Sequence, residues 1–142
     1  MTKKEKHRGM VRGYLKMWPR EVFDLRKSGK LMPALKDALA GPGVYVLYRD
    51  DHPYYVGKAS RKLHHRLWAH ANATRDKHYH LWNFFSAYVV PSGKDRDAIE
   101  AILIAAMPTT ANSSSPKFQR VHLPTVLARL LSVRRQIRVD PS

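Results

Sequence analysis

Cysteine is absent from the 142 residues, which excludes disulfides and every thiolate metal site. Long apolar runs are missing as well. The longest, Ala101–Met107, has seven residues, far short of the roughly 20 that a bilayer-spanning helix needs. The first thirty residues hold ten Lys and Arg side chains and no apolar stretch of the secretory kind, so the chain reads as cytoplasmic rather than exported. Acids are scarce, 11 against 26 Lys and Arg. No repeat or low-complexity tract occurs. With 44% hydrophobic and 10% aromatic residues, there is enough to bury one core and too much for a disordered chain.

The net charge of +15 is spread along the chain, with residues 1–40 contributing +7 and residues 41–90 and 91–142 contributing +4 each. A detachable basic tail is therefore excluded, and the whole domain is positive. Such a field is the footprint of a nucleic-acid binder, since phosphate contacts need cations but no particular sequence. No basic amphipathic stretch of membrane-surface type stands out.

Punctuation by Pro and Gly divides the chain. Residues 1–10 read as a frayed basic arm. Pro19 and Gly29 bracket a predicted short helix, and Pro33–Ala40 a second, stopped by Gly41-Pro42-Gly43. Val44–Tyr48 and Tyr54–Val56, joined by Asp50-Asp51-His52-Pro53, read as a β-hairpin. Ser60 is the expected N-cap of a helix from Arg61 to about Ala73. Phe84–Val90 reads as a third strand, and a helix opens at Asp95 or Asp97 and runs through Met107. A Ser-rich loop leads to a last helix from Pro124 to about Ile137. The expected fold is α+β, a small antiparallel sheet of about three strands flanked by helices. Its parts are a basic helical extension (1–40), a core (41–115) and a basic C-terminal helix packed on the core (116–142).

Two tripeptides stand out on the hairpin, Gly43-Val44-Tyr45 and Tyr55-Val56-Gly57, the second continuing into Lys58-Ala59. Arg66 and His70 follow on the next helix, Glu100 on the helix after the third strand, and Asn112 in the loop beyond. This ordered set resembles the GIY-YIG endonuclease family, including restriction and homing endonucleases and the nuclease domain of the bacterial excision-repair incision subunit. Valine replaces isoleucine in both halves. The family's further histidine has two candidates, His78 and His80, with His78 preferred. The resemblance implies a hydrolase that cuts phosphodiester bonds, with Tyr45 activating water and Lys58 or Tyr55 assisting. It also implies a single divalent cation, Mg²⁺ or Mn²⁺.

Read as chemistry, the same residues are consistent with that implication. A phenol of ordinary pKa is a poor base at neutral pH, so Lys58, Arg66 and a cation are expected to lower that of Tyr45. Taken alone, strand tyrosines are more often core aromatics. Arg66 and His70, four apart, share a helix face. Arg66 suits a scissile phosphate, and His70 either binds phosphate or shuttles a proton; a solvated basic face is the plain alternative. Glu100 lies among apolar residues, with Leu103, Ile104 and Met107 on its own face. A carboxylate there needs a partner or a cation, so Glu100 is the expected metal ligand, against the alternative of a first-turn acid favoured by the helix dipole. Gly57, Arg66, His78 and Asn112 are expected at the substrate, although a loop asparagine also suits a turn or a backbone contact. Five of the eight histidines fall within residues 64–80, but no zinc-ligand spacing is present.

The basic flanks are expected to grip nucleic-acid backbone, with Arg129, Arg134, Arg135 and Arg138 on the last helix outward and Leu127, Leu130 and Leu131 toward the core. The expected partner is nucleic acid, most simply double-stranded DNA, and cutting both strands of a palindrome calls for a homodimer. Rival readings are a non-catalytic DNA- or RNA-binding module, a repair or structure-specific nuclease, and a basic assembly factor.

Overall fold

The computed structural model describes residues 9–109, 111–112 and 118–139, with side chains to residue 136. Its centre is strand β4 (Gly43–Arg49), the tract Gly-Val-Tyr-Val-Leu-Tyr-Arg. Both of its faces are covered, which is why it reads as a continuous apolar run rather than an alternation. Tyr45 and Leu47 point into one core, with Phe23, Leu63, Leu67 and Phe85. Val44 and Val46 point into a second, with Val56 and Val90.

The sheet is antiparallel throughout. Strands β1 (Gly13–Pro19), β5 (His52–Ala59) and β6 (Phe84–Val89) complete it in the order β1-β6-β4-β5, leaving β5 at an edge. Helix α2 (Leu63–Asn72) packs its Leu63, Leu67 and Ala71 on the Tyr45 face. Helix α3 (Gly93–Ala106) lays Ile99, Leu103 and Ile104 on the Val44 face. The α+β architecture is as expected, with one strand more in this sheet than the sequence showed.

That strand, β1, pairs with β6 through Tyr14↔Tyr88 and Trp18↔Phe85, and its register slips between Leu15 and Trp18. Met17 sits at φ 55° in the irregularity, and its N–H is held by Ser86 Oγ at 3.1 Å. The bulge breaks the period-two pattern that marks a strand. The helix expected over residues 19–29 is also corrected. Only a 3-10 turn (Arg20–Asp24) forms, followed by a hairpin of β2 (Arg26–Lys27) and β3 (Lys30–Leu31). Ser28 and Gly29 both take positive φ between the paired Lys27 and Lys30, the signature of a two-residue primed turn. Phe23, Leu31, Leu35 and Leu39 of this stretch are buried in the main core. Leu35 lies on α1 (Pro33–Ala38), close to its expected span.

Ser60 does not cap α2. The cap position is Lys62 and makes no side-chain bond. The Leu63 and His64 N–H groups are instead taken by the carbonyls of Gly41 and Leu39, at 2.9 and 3.1 Å, so the orphan donors are satisfied through tertiary contact. Ser92 caps α3, accepting from the Asp95 N–H. Helix α4 (Thr125–Val139) corrects the expected packing. Leu127, Leu130 and Leu131 are 46, 62 and 41% exposed, since α2 and α3 already cover the faces of β4.

Gly43 is required by close approach. A Cβ there would strike the Tyr88 carbonyl on β6 and come within 2.9 Å of Leu63 Cδ1. The Gly43→Ala substitution should therefore cost about 1–3 kcal/mol through overpacking, read from urea unfolding. An unchanged midpoint would show that β4 and β6 separate freely there.

Candidate active site

The β4–β5 register sets the site. Tyr45 lies opposite Gly57, and Leu47 opposite Tyr55, so Tyr45 and Tyr55 are diagonal neighbours on one face with ring centroids 6.3 Å apart. The register thus brings the two phenols together on one face of the hairpin. Gly57 leaves the space that the Tyr45 phenol fills. A Cβ at Gly57 would come within 2.5 Å of Tyr45 Cζ, so no other residue fits opposite this tyrosine.

Tyr45 is fully buried, and its hydroxyl is 2.7 Å from His70 Nε2. His70 Nδ1 is 3.0 and 2.9 Å from the two oxygens of Asp76. An ionised carboxylate only accepts, so Nδ1 carries the proton; Nε2 of the neutral ring then accepts, and the Tyr45 O–H donates. The result is a directed chain, Tyr45 to His70 to Asp76. Burial lowers the pKa of His70 and outweighs the opposing Asp76 carboxylate. Burial also pushes Asp76 upward, but hydrogen bonds from the His70 ring and the His78 N–H outweigh it and leave the carboxyl below its usual range. Asp76 escaped the sequence reading because it lies in a polar loop with no periodicity. Its signal is the short Asp-x-His spacing to His78, whose N–H it binds at 2.8 Å.

The expected lowering of the Tyr45 pKa is reversed. Burial, and then the Tyr55 phenol, push it well above the ordinary value, against the opposing charge and hydrogen bond of Arg66. Lys58 is engaged elsewhere, with Nζ 2.7 Å from Asp97 Oδ1 and 3.7 Å from Glu100 Oε1. At rest the phenol is protonated, and its proton acceptor is His70. Tyr55 is also raised, first by burial, with Arg66 opposing and Glu100 adding to the rise. Tyr55 thus feels Arg66 from α2 and Glu100 from α3, which places the site astride the β5 edge. Arg66 itself is exposed.

Glu100 is partly shielded, its side chain 22% exposed, as its apolar face implied. Among the described residues, no group of three or more His, Asp or Glu side chains surrounds a cation position. Glu100 and Asp97, three apart on α3, offer hard oxygen donors, which suits a cation that takes most of its ligands from water and phosphate.

The remaining expected residues are separated by the fold. His78 sits beside the site, its ring 4.2 Å from Tyr55 and 5.0 Å from His70, with Nδ1 3.2 Å from the Tyr54 hydroxyl. His80 points away to Arg20, 3.2 Å from its guanidinium. The His78 ring is 2% exposed and packs against Tyr54 and Tyr55. Asn112 makes the backbone contact of its two readings. Its amide donates to the Val56 carbonyl and its carbonyl accepts the Val56 N–H, both at 2.9 Å. Arg129, Arg134 and Arg135 are exposed on α4, and the Arg138 side chain lies outside the described residues.

No protein-family model and no curated protein matches the chain. Among solved structures it is similar to the GIY-YIG N-terminal endonuclease domain of UvrC from Thermotoga maritima. One tyrosine-to-phenylalanine variant of that domain, bound to its catalytic divalent cation, is 23% identical, with a TM-score of 0.48 over 58% of this chain and 99% of that one. An asparagine-to-alanine variant, also bound to its cation, is 22% identical with the same score and coverage.

Burial, and then the charge of His70, push the pKa of His78 down to about 4, against about 6.5 when unfolded. The unfolded chain binds that proton more readily, so the contribution is complete above about pH 6.5 and lost as pH falls toward 4. It is worth on the order of 3 kcal/mol. Urea unfolding of the His78→Asn variant should therefore depend less steeply on pH between 4 and 7 than that of the wild type. Parallel curves would assign the dependence to another group.

Proposed function

We propose that the chain is a divalent-metal-dependent endonuclease that hydrolyses phosphodiester bonds in DNA. The observation that carries this reading is the convergence at the β5 edge of the Tyr45–His70–Asp76 chain, Tyr55 and Arg66 with Glu100 and Lys58. These come from five parts of the fold: β4, β5, α2, the loop after it and α3. The short spacing from Glu100 to Asn112 resembles that of the family's restriction endonucleases, and we take the enzyme to be of restriction or mobile-element type.

The chemistry follows from the hydrogen-bond directions. Water gives a proton to the Tyr45 oxygen as the Tyr45 proton moves to His70 Nε2, and the imidazolium is stabilised by Asp76. The water oxygen forms the new bond to phosphorus, the bridging P–O bond breaks, and the leaving alkoxide takes a proton from solvent. Arg66 forks onto phosphate oxygens at the solvent-facing side. Glu100, with Asp97 beside it, would hold a cation, while Lys58 holds the two carboxylates together. Bound there, a divalent cation supplies the positive charge that the phosphate oxygens and the leaving group require. Arg129, Arg134 and Arg135 add backbone affinity without sequence preference.

Supercoiled plasmid with Mg²⁺ or EDTA tests the reading. Nicking should require the metal, and Glu100→Gln should abolish it while leaving DNA affinity nearly unchanged. Tyr45→Phe should lower the rate by about 10²–10⁴, the scale of a lost proton-transfer group. Binding without metal-dependent nicking in the wild type would instead make the chain a non-catalytic DNA-binding module.

Asp76 acts through His70 and is a positioning residue. Asp76→Asn should lower kcat by about 10²–10⁴ with KM nearly constant, because the imidazolium loses its counter-charge. The His70 Nδ1–H proton resonance should move with it. Wild-type kcat, or a loss confined to KM, would remove Asp76 from the chain.

A further inference from the structure

Helix α2 presents a second face to solvent. Trp68 stands two residues from both Arg66 and His70, so it lies about 200° around the helix from them, away from the tyrosines. There, between α2, α1 and the β2–β3 hairpin, a groove of about 500 Å³ is lined by Arg26, Lys30, Lys36, His64, His65 and Trp68. No carboxylate lines it. Among the described residues no acid pairs with Arg26, Lys30 or Lys36. Trp68 is 38% exposed, a large aromatic surface left open among cations.

We infer that this groove binds an unpaired nucleotide strand, with a base stacked on Trp68 and neighbouring phosphates on Arg26, Lys30 and Lys36. Charge complementarity selects a polyanion. The indole then selects the kind, because a duplex keeps its bases stacked inside and offers only phosphates, whereas an unpaired base presents a π-face to an aromatic side chain. The local field agrees: the pKa of His64 is lowered by burial first and then by the charges of His65, Lys62 and Lys36. The groove rests on the nucleic-acid reading of this chain but not on cleavage. It gives the protein a grip on single-stranded or frayed substrate on the far side of α2 from the reacting phosphate.

The test is fluorescence anisotropy in EDTA with a labelled oligothymidylate and a duplex of equal length. Trp68→Ala should weaken oligothymidylate binding on the order of 5- to 100-fold, the range for losing one stacked base, with Trp68→Phe restoring most of it. Duplex affinity should be nearly unchanged. The Arg26→Gln, Lys30→Gln, Lys36→Gln triple variant should flatten log K against log salt by about 0.7 per lost contact on single strands. Equal losses on both probes, or no loss on either, would overturn the groove. So would polyglutamate that displaces oligothymidylate as well as unlabelled oligothymidylate does, which would make the occupant an acidic polypeptide. Trp68-dependent strand binding in a wild-type protein that never nicks plasmid would leave the groove standing and remove the nuclease. Plasmid nicking by Trp68→Ala with undiminished strand binding would do the reverse.

Discussion

A missing side chain at Gly57 is the constraint on which the site depends. Tyr45 is fully buried, and its phenol occupies the space that any Cβ opposite it would take. The ring can therefore lie flat across the edge strand and bring its hydroxyl to His70. From that placement follow the diagonal contact with Tyr55 and the alignment of α2, whose His70 must face the hydroxyl while Leu63 and Leu67 stay in the core. The glycine at the other end of the motif acts in the same way on the backbone, letting β6 approach β4 at Gly43. Both glycines are explained by close approach, and neither needs an unusual φ.

Burial governs the protonation states around that phenol. Desolvation favours the neutral form of every titratable ring in the cluster, raising Tyr45 and Tyr55 and lowering His70 and His78. Asp76 is the exception, kept ionised by the donors that face it. One partly buried negative charge therefore orders neutral groups, and through His70 it sets the direction of the Tyr45 hydrogen bond. Of the cations that the sequence placed near the phenol, Arg66 does act on it but is outweighed by burial, and Lys58 is held on the α3 carboxylates.

The central hairpin, α2 and α3 were legible because their signals are local: aromatic and β-branched strands, turn residues between them, and apolar spacing along the helices. The pair Tyr45 and Tyr55, the helix face of Arg66 and His70, and the odd carboxylate Glu100 were legible for the same reason. What escaped depends on tertiary contact. Strand β1 hides behind a bulge at Met17, and the apparent helix of residues 19–29 dissolves because Ser28 and Gly29 turn the chain back on itself. Asp76 depends on which loop atoms meet the histidine rings, and the preference for His78 over His80 gains its geometric ground only there. Helix α4 had the amphipathic pattern of a packed helix, yet the faces it was expected to cover were already taken.

Asn112 carries a consequence for the edge of the sheet. Strand β5 is an edge, and its outward N–H and C=O groups are a template for another strand. The Asn112 amide occupies both groups of Val56, and the Ala111 N–H takes the Tyr54 carbonyl at 3.0 Å. The loop thus imitates a neighbouring strand for two residue pairs, beside Tyr55 and Gly57, where an intermolecular β-strand would otherwise seal the site. The edge groups on either side of Tyr55 are thus already paired within the chain, so a strand added at this stretch would first have to displace Asn112 and Ala111.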